Sequence, residues 1–309
     1  MTFILLTGAG FSRNWGGPLA SEVFSAVLAD RDIDEHIRRR LLASRGAFET
    51  VLADLLVSSD PEDKKRHDAL ITSVAGIFNG MNQTFMHTPF EFENPPSVQH
   101  SMASFLSRFH AIFTLNQDAL LELHYNPMIG PPMNWARLNI PGMRFVQPYR
   151  PGGTLHDKFA LMEPNPTDRA FPTSAQPYVK LHGSVNWVES NVGSRILVMG
   201  GEKTVTIGRF SILTWYQEEF RKRLLQPGAQ LMVMGYGFGD THINDAIADG
   251  LQAGLKLFVV DPFALDVIKR DSRIDDAAPR QLMGLSTRPL KETFGGDRYG
   301  HAELTRFFA

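Results

Sequence analysis

Four unbroken apolar runs, each giving way at once to glycines or polar residues, constrain this chain more than any other feature. They are TFILLTGAG from Thr2, AIFTLNQD from Ala111, YVKLHGS from Tyr178 and AQLMVMGYGFGD from Ala229. A strand that is apolar on both faces belongs inside a parallel sheet covered by helices. KLFVVDP from Lys256 repeats the form, and RILVMG and KTVTIG read as further strands. The text between them has helical period. Pro18 suits a helix start with Leu19, Val23 and Val27 on one face, residues 34–86 are helical throughout, and Val98, Met102, Phe105 and Phe109 align along SVQHSMASFLSRF. LTWYQEEFRKRLL and THINDAIADGLQ supply later helices. The alternation predicts an α/β, Rossmann-like fold with a mostly parallel sheet flanked by helices.

The whole chain, 1–309, reads as a single domain with two insertions: a helical subdomain or cap over 31–108, and a segment over 127–177 that holds ten of the 19 prolines. That proline density excludes regular helix and predicts an irregular excursion of the kind used as lids and interfaces. Thirty-one basic against 33 acidic residues leave no global charge for nucleic acid or an anionic membrane. Cysteine is absent, which removes thiolate nucleophiles and Cys-based zinc sites and makes a cytoplasmic location the expectation. The apolar start lacks a basic leader region and breaks at Gly8, so no signal peptide is expected, and no apolar run is long enough to span a bilayer.

In an open parallel sheet, strand ends converge on one crevice where ligands bind. Gly8 and Gly10 would let the backbone approach a pyrophosphate, with Ser12 and the following helix start supplying donors. Arg13 stands where a dehydrogenase fingerprint needs a third small residue, and no acid-ended strand follows about 20 residues on, which disfavours hydride transfer. Plainer readings stand beside these. The glycines could make only a tight turn, His182 could be a satisfied structural imidazole, Asn116 and Asp240 could cap helices, and Asp261 before Pro262 could shape a turn. Trp15 and Trp187 suit packing.

Taken in order, TGAGFS, TLNQDALLE, KLHGSVNW and GYGFGDTHIN resemble the sirtuin-like domain of bacterial anti-phage defence proteins, distant relatives of the protein deacylases. The resemblance implies an effector that binds NAD, with its pyrophosphate on Gly8, Ala9, Gly10 and Ser12, and cleaves the nicotinamide–ribose bond to deplete the cell of NAD on infection. Asn116 falls on the asparagine of the sirtuin Gln-Asn-Ile-Asp motif and His182 on the histidine of the His-Gly motif, so these two are the expected catalytic pair. His182, with an ordinary pKa near 6.5, would be the general base. Asp118 would lie near the nicotinamide carboxamide, Gly235 and Gly237 would leave room for adenosine, and Asp261 would meet the adenine-side ribose.

The departures bear on chemistry. Deacylases carry four zinc-binding cysteines, absent here, and a Pro-Asp-Phe-Arg loop where this chain has RNWGGPLA, so lysine deacylation is disfavoured and no metal is expected. The resemblance further implies a homo-oligomer and a separate activating partner, first a HerA-type hexameric ATPase and otherwise an argonaute-like protein. Two other functions fit the same motifs: an NAD or ADP-ribose sensor without turnover, and a protein ADP-ribosyltransferase.

Overall fold

A computed structural model of the chain describes residues 1–44, 48–94, 97–127, 129–130, 133–146, 160–190, 194–200 and 203–309. Seven strands form the main sheet: β1 (Thr2–Thr7), β2 (Ala111–Thr114), β3 (Arg137–Asn139), β4 (Ala175–Lys180), β5 (Ala229–Met234), β6 (Lys256–Val260) and β7 (Leu282–Ser286). Their spatial order is β7-β6-β5-β1-β2-β4-β3, and every neighbouring pair is parallel. Alternate residues feed two cores. Ile4, Leu6, Val233 and Val259 pack on one face with the helices Ser211–Leu224 and Thr241–Gln252, and Leu5, Met232 and Phe258 pack on the other with Phe105, Phe294 and Phe307. The expected α/β, Rossmann-like architecture is what the chain adopts.

From β1 the chain moves outward to β2, β3 and β4, then returns to the opposite side of β1 as β5. Between β1 and β5 the strand order reverses, which opens a crevice beyond their carboxyl ends. Register aligns the strand ends. Thr7 pairs with Thr114 and Met234, and Thr114 with Lys180, so Gly8, Leu115, Leu181 and Gly235 leave the sheet at one level, with Ala9, Asn116, His182 and Tyr236 just beyond.

The helices Ala20–Ala29, Glu35–Ala43, Phe48–Val57 and Pro61–Phe85 share a third core built on Val23, Val27, Ile37, Leu41, Leu55 and Val74. Val185 and Leu197, from the antiparallel pair Gly183–Glu189 and Ser194–Leu197, close this core from the sheet side. Asp34 and Asp60 cap their helices by accepting from Ile37 N and Glu62 N.

Three local expectations differ. KTVTIG is the helix Lys203–Arg209, because Ile207 is drawn into the first core while Thr204, Val205, Gly208 and Arg209 face solvent, a burial pattern that overrides β propensity. The run SVQHSMASFLSRF is broken into a 3₁₀ turn, Val98–His100, and a short helix, Met102–Leu106, because Ser101 caps Ser104 N; Val98 is left 64% exposed. The proline-rich stretch is not wholly irregular. It contributes β3, where pairing needs only three residues, and the pair Met143–Phe145 with Met162–Pro164, while its residues 128, 131–132 and 147–159 lie outside the described residues.

The β1–β5 junction is closed by glycine on both sides. Gly235 has φ of +62°, and a Cβ there would stand 2.2 Å from Phe11 N. Gly254 also has a positive φ, +100°, with open space around it. Gly235→Ala should therefore cost ~2 kcal/mol or more, beyond the ~1 kcal/mol of Gly254→Ala. Chemical denaturation of both variants checks this; equal losses would mean that the close approach at Gly235 is dispensable.

Candidate functional site

A cavity of about 500 Å³ occupies the crevice at the reversal point. Gly8, Ala9, Gly10, Ser12, Asn116, Asp118, His182, Gly235, Gly237 and Asp261 all line it. Part of its lining is apolar: Leu19 and Val23, Phe78 and Met81 from the long helix, and Phe263, which is 67% exposed.

One polar chain organises the floor. Asn116 Nδ2 donates to Gly8 O and to Ser12 Oγ, both at 2.9 Å. A carbonyl can only accept, so Gly8 O sets the amide's orientation and leaves Oδ1 as the group Asn116 can offer a ligand. Ser12 accepts from Asn116 and donates to Asp118 Oδ2 at 2.7 Å, while Asp118 Oδ1 accepts from Leu120 N at 3.0 Å. Asn116 is thus no helix cap; Asp118 takes the backbone bond at the helix start. Behind Asp118 stands Lys180, fully buried, which donates to Asp118 O and, at 2.7 Å, to Glu122 Oε1.

This chain already engages two of the groups given roles above. The Ser12 hydroxyl proton points at Asp118 and not at the cavity. Each Asp118 oxygen accepts one hydrogen bond within the protein and keeps a further lone pair with which to accept another. The glycine turn is packed against a second loop. Gly8 N donates to Met234 O and Gly10 N to Gly235 O, and Cβ atoms at Gly8 and Gly10 would meet Gly235 or Tyr236 within 2.8 Å. These glycines seat two loops against each other, and the Gly8 and Gly10 amides are engaged in doing so. Gly237 is similar: a Cβ there would stand 2.8 Å from Arg270 Nη1, which donates to Gly237 O at 3.0 Å, and both residues line the cavity.

At the other wall, His182 is 3% exposed and its Nε2 lies 3.0 Å from His242 Nε2, so one ring donates to the other. Gly183 follows in the left-handed region, φ +73°, and a Cβ there would stand 2.0 Å from Ile196 O; His182 ends the turn that leaves β4, and Gly183 opens the strand Gly183–Glu189. Burial pushes the His182 imidazole down to about 3, outweighing the attraction of Asp240. It is therefore a neutral and weak base, not the near-6.5 base that its ordinary value suggests. Burial likewise lowers His242.

Asp240 stands at the start of the helix Thr241–Gln252 but its side chain caps nothing there; it pairs with Lys203 Nζ at 2.6 Å. Burial opposes its ionisation, and the ammonium of Lys203, by charge and hydrogen bond, helps hold its carboxyl below the usual range. Asp261 accepts from Phe263 N at 2.8 Å, the turn bond that its Asp-Pro context suggested, while also facing the cavity, and burial raises its carboxyl. Trp15 and Trp187 pack, the first against Phe90 with its N–H on Phe90 O, the second beside Tyr216.

Sequence reading passed over Lys180, Lys203 and His242, and took Asp240 for a cap. A lysine between Val179 and Leu181 in an otherwise apolar strand was a signal for the first. His242 follows Asp240 within the GYGFGDTHIN motif itself. Nothing local pointed to Lys203, which arrives from a segment read as a strand. Among the described residues no group of three or more His, Asp or Glu side chains is placed to hold a metal ion, and no helix is long and apolar enough to cross a membrane.

No family model matches the sequence, and no curated protein matches it. Solved structures do. A Sir2 homologue–NAD complex matches at 12% identity with a TM-score of 0.42, covering 99% of this chain and 90% of that one. Sir2 bound to an acetylated peptide matches at 14% identity and 0.40, covering 99% and 92%. A Sir2 homologue variant in complex with ADP-ribose matches at 13% and 0.42, covering 98% and 93%. At this level the likeness concerns the course of the chain and assigns no role to its residues.

Two expectations follow from the buried charges. Lys180→Met leaves Glu122 as an unpaired buried carboxylate and should cost ~3–5 kcal/mol, whereas Lys180→Met combined with Glu122→Leu should recover most of the loss. Denaturation of the single and double variants decides it, and a double variant no better than the single would refute the pairing. His182 stays neutral in the fold but is protonated in the unfolded chain below about pH 6.5, so stability falls as pH drops from there toward 3. By pH 5 this group alone should remove on the order of 2 kcal/mol. Melting at pH 7 and pH 5 should show a smaller drop for His182→Gln than for the parent chain.

Proposed function

We propose that the cavity binds NAD and that the chain hydrolyses the bond between nicotinamide and ribose. The observation that carries the reading is the meeting, on one cavity, of an asparagine whose amide can only accept from a ligand and a neutral imidazole, from neighbouring strand ends. Asn116 Oδ1 would accept from a ribose hydroxyl or from the attacking water, and holding that geometry lowers the barrier through orientation.

The reaction makes a modest demand on a base. As the C1′–N bond breaks, its electron pair neutralises the pyridinium, so nicotinamide leaves uncharged and needs no general acid. The ribose becomes an oxocarbenium ion that water attacks readily. Water's oxygen bonds to C1′, and its proton passes to His182, which shares it with His242 and the Asp240 carboxylate beyond. The apolar part of the lining, Leu19, Phe78, Met81 and Phe263, would exclude bulk water while the ligand is bound.

One observation favours a second reading. His182 is far less basic than a typical general base, and the Ser12 proton is already committed, which suits a module that senses NAD or ADP-ribose without turnover. In the hydrolase reading the cellular role is depletion of NAD during phage infection by a cytoplasmic oligomer under the control of a separate partner, a HerA-type ATPase or an argonaute-like protein. What supports this wider role is the set of sequence motifs described above.

Incubation of the purified chain with NAD, alone and with the co-expressed ATPase, should release nicotinamide. His182→Ala should lower the rate about 10²- to 10⁴-fold, and Asn116→Ala by a similar factor. Tight NAD binding by calorimetry with no nicotinamide released under either condition would favour the sensor. Release that survives in both variants would move the chemistry away from these residues.

A further inference from the structure

A second cavity, of about 410 Å³, lies between the helical subdomain and the antiparallel pair Gly183–Glu189 and Ser194–Leu197, and no residue of the four motifs lines it. Its walls are of two kinds. Leu52, Ile71 and Phe210 give an apolar side, and Arg195, Arg209, His67 and Thr206 a polar one.

The polar side is short of partners. Arg195 donates through Nη1 to Val185 O at 2.7 Å, which steadies the arm and leaves the rest of its planar fork available. Among the described residues no hydrogen bond or ion pair engages the Arg209 guanidinium. Thr206 Oγ1 is buried with no hydrogen-bond partner. Asp68, the only acid on the lining among the described residues, is 85% exposed and bonded to its neighbour His67 at 3.3 Å. Two guanidinium groups around one space call for a ligand rich in acceptor oxygens and negatively charged, the character of a phosphate. The apolar side calls for a body attached to it, and the volume lies in the range of small-molecule sites.

This cavity is joined mechanically to the first. The helix Lys203–Arg209 carries Thr206 and Arg209 on the second cavity and Lys203 on the first, where Lys203 pairs with Asp240 at 2.6 Å. Met199 lines both spaces. A ligand that draws Arg209 toward itself shifts one end of a seven-residue helix whose other end sets the charge beside His182 and His242.

We propose that the second cavity is an effector site for a phosphorylated small molecule of about mononucleotide size, recognised by Arg195 and Arg209 and coupled to the first cavity through the helix Lys203–Arg209. The site stands independently of the NAD reading; the coupling rests on it. By linkage, an effector that changes NAD affinity has its own affinity changed by NAD in equal measure.

Calorimetry on the full chain tests both parts, with AMP and inorganic phosphate as probes. Arg209→Ala, at an exposed position, should weaken AMP about tenfold or more, the worth of a charge-assisted contact. Asn116→Ala, in the first cavity, should leave AMP binding unchanged. AMP should bind more tightly than inorganic phosphate, because the apolar wall recognises the rest of the molecule. Saturating AMP should shift NAD affinity by about fivefold or more, and the shift should vanish in Arg209→Ala. AMP affinity that is indifferent to Arg209, or that is lost in Asn116→Ala, overturns the site. AMP bound through Arg209 with no change in NAD affinity overturns the coupling. If NAD does not bind at all while AMP still depends on Arg209, the NAD reading fails and the effector site stands.

Discussion

The backbone contact between the Gly8–Gly10 turn and Gly235 is the constraint on which the rest depends. Two chain segments leave adjacent parallel strands at the point where strand order reverses, and ordinarily they diverge. Here Gly10 N donates to Gly235 O and Gly235 N to Val260 O, so three successive strand ends are laced together beyond the sheet. Side chains at these positions would force the loops apart. The lacing fixes the near wall of the cavity and holds Gly8 O where it can orient the Asn116 amide.

From that fixed carbonyl the polarity of the floor follows by elimination. Asn116 must donate twice, Ser12 must accept and then donate, and Asp118 must accept. Lys180 and Glu122 brace this chain from behind with a buried ion pair, a costly device whose energetic return in stability is small and whose clearer effect is to hold one geometry. The opposite wall is built on a different principle. His182 and His242 are kept neutral by burial, next to an ion pair, Lys203–Asp240, that supplies charge without presenting it to the imidazoles as a direct partner. The cavity therefore combines an oriented acceptor with a weak, neutral base, a combination matched to departure of a neutral leaving group better than to proton abstraction from a poor acid.

The helical subdomain is part of the same device. Its long helix reaches the cavity with Phe78 and Met81, and Asn82 Oδ1 accepts from Ala119 N, next to Asp118. Its other end contributes to the second cavity. A displacement of these helices therefore bears on both spaces at once, and the helix Lys203–Arg209 runs between them.

How much of this was legible in the sequence depends on how local each cause is. The parallel sheet was legible because a strand buried on both faces must be apolar throughout, and five strand ends carried their glycines and polar residues in plain view; all ten singled-out positions reach one cavity. Their individual roles were not legible. Whether the Ser12 proton points to a ligand or to Asp118 depends on a residue 106 positions away, and the basicity of His182 depends on burial that no local pattern reports. KTVTIG has strand propensity and became a helix because Ile207 found a place in the core, which in turn put Lys203 opposite Asp240. The sequence by itself determined the class of fold and which residues would stand at the strand ends, since both follow from apolar period and glycine placement. Only the tertiary structure decided which hydrogen-bonding groups remain free for a ligand and which charges face one another, because those are properties of chains that meet in space from distant parts of the sequence.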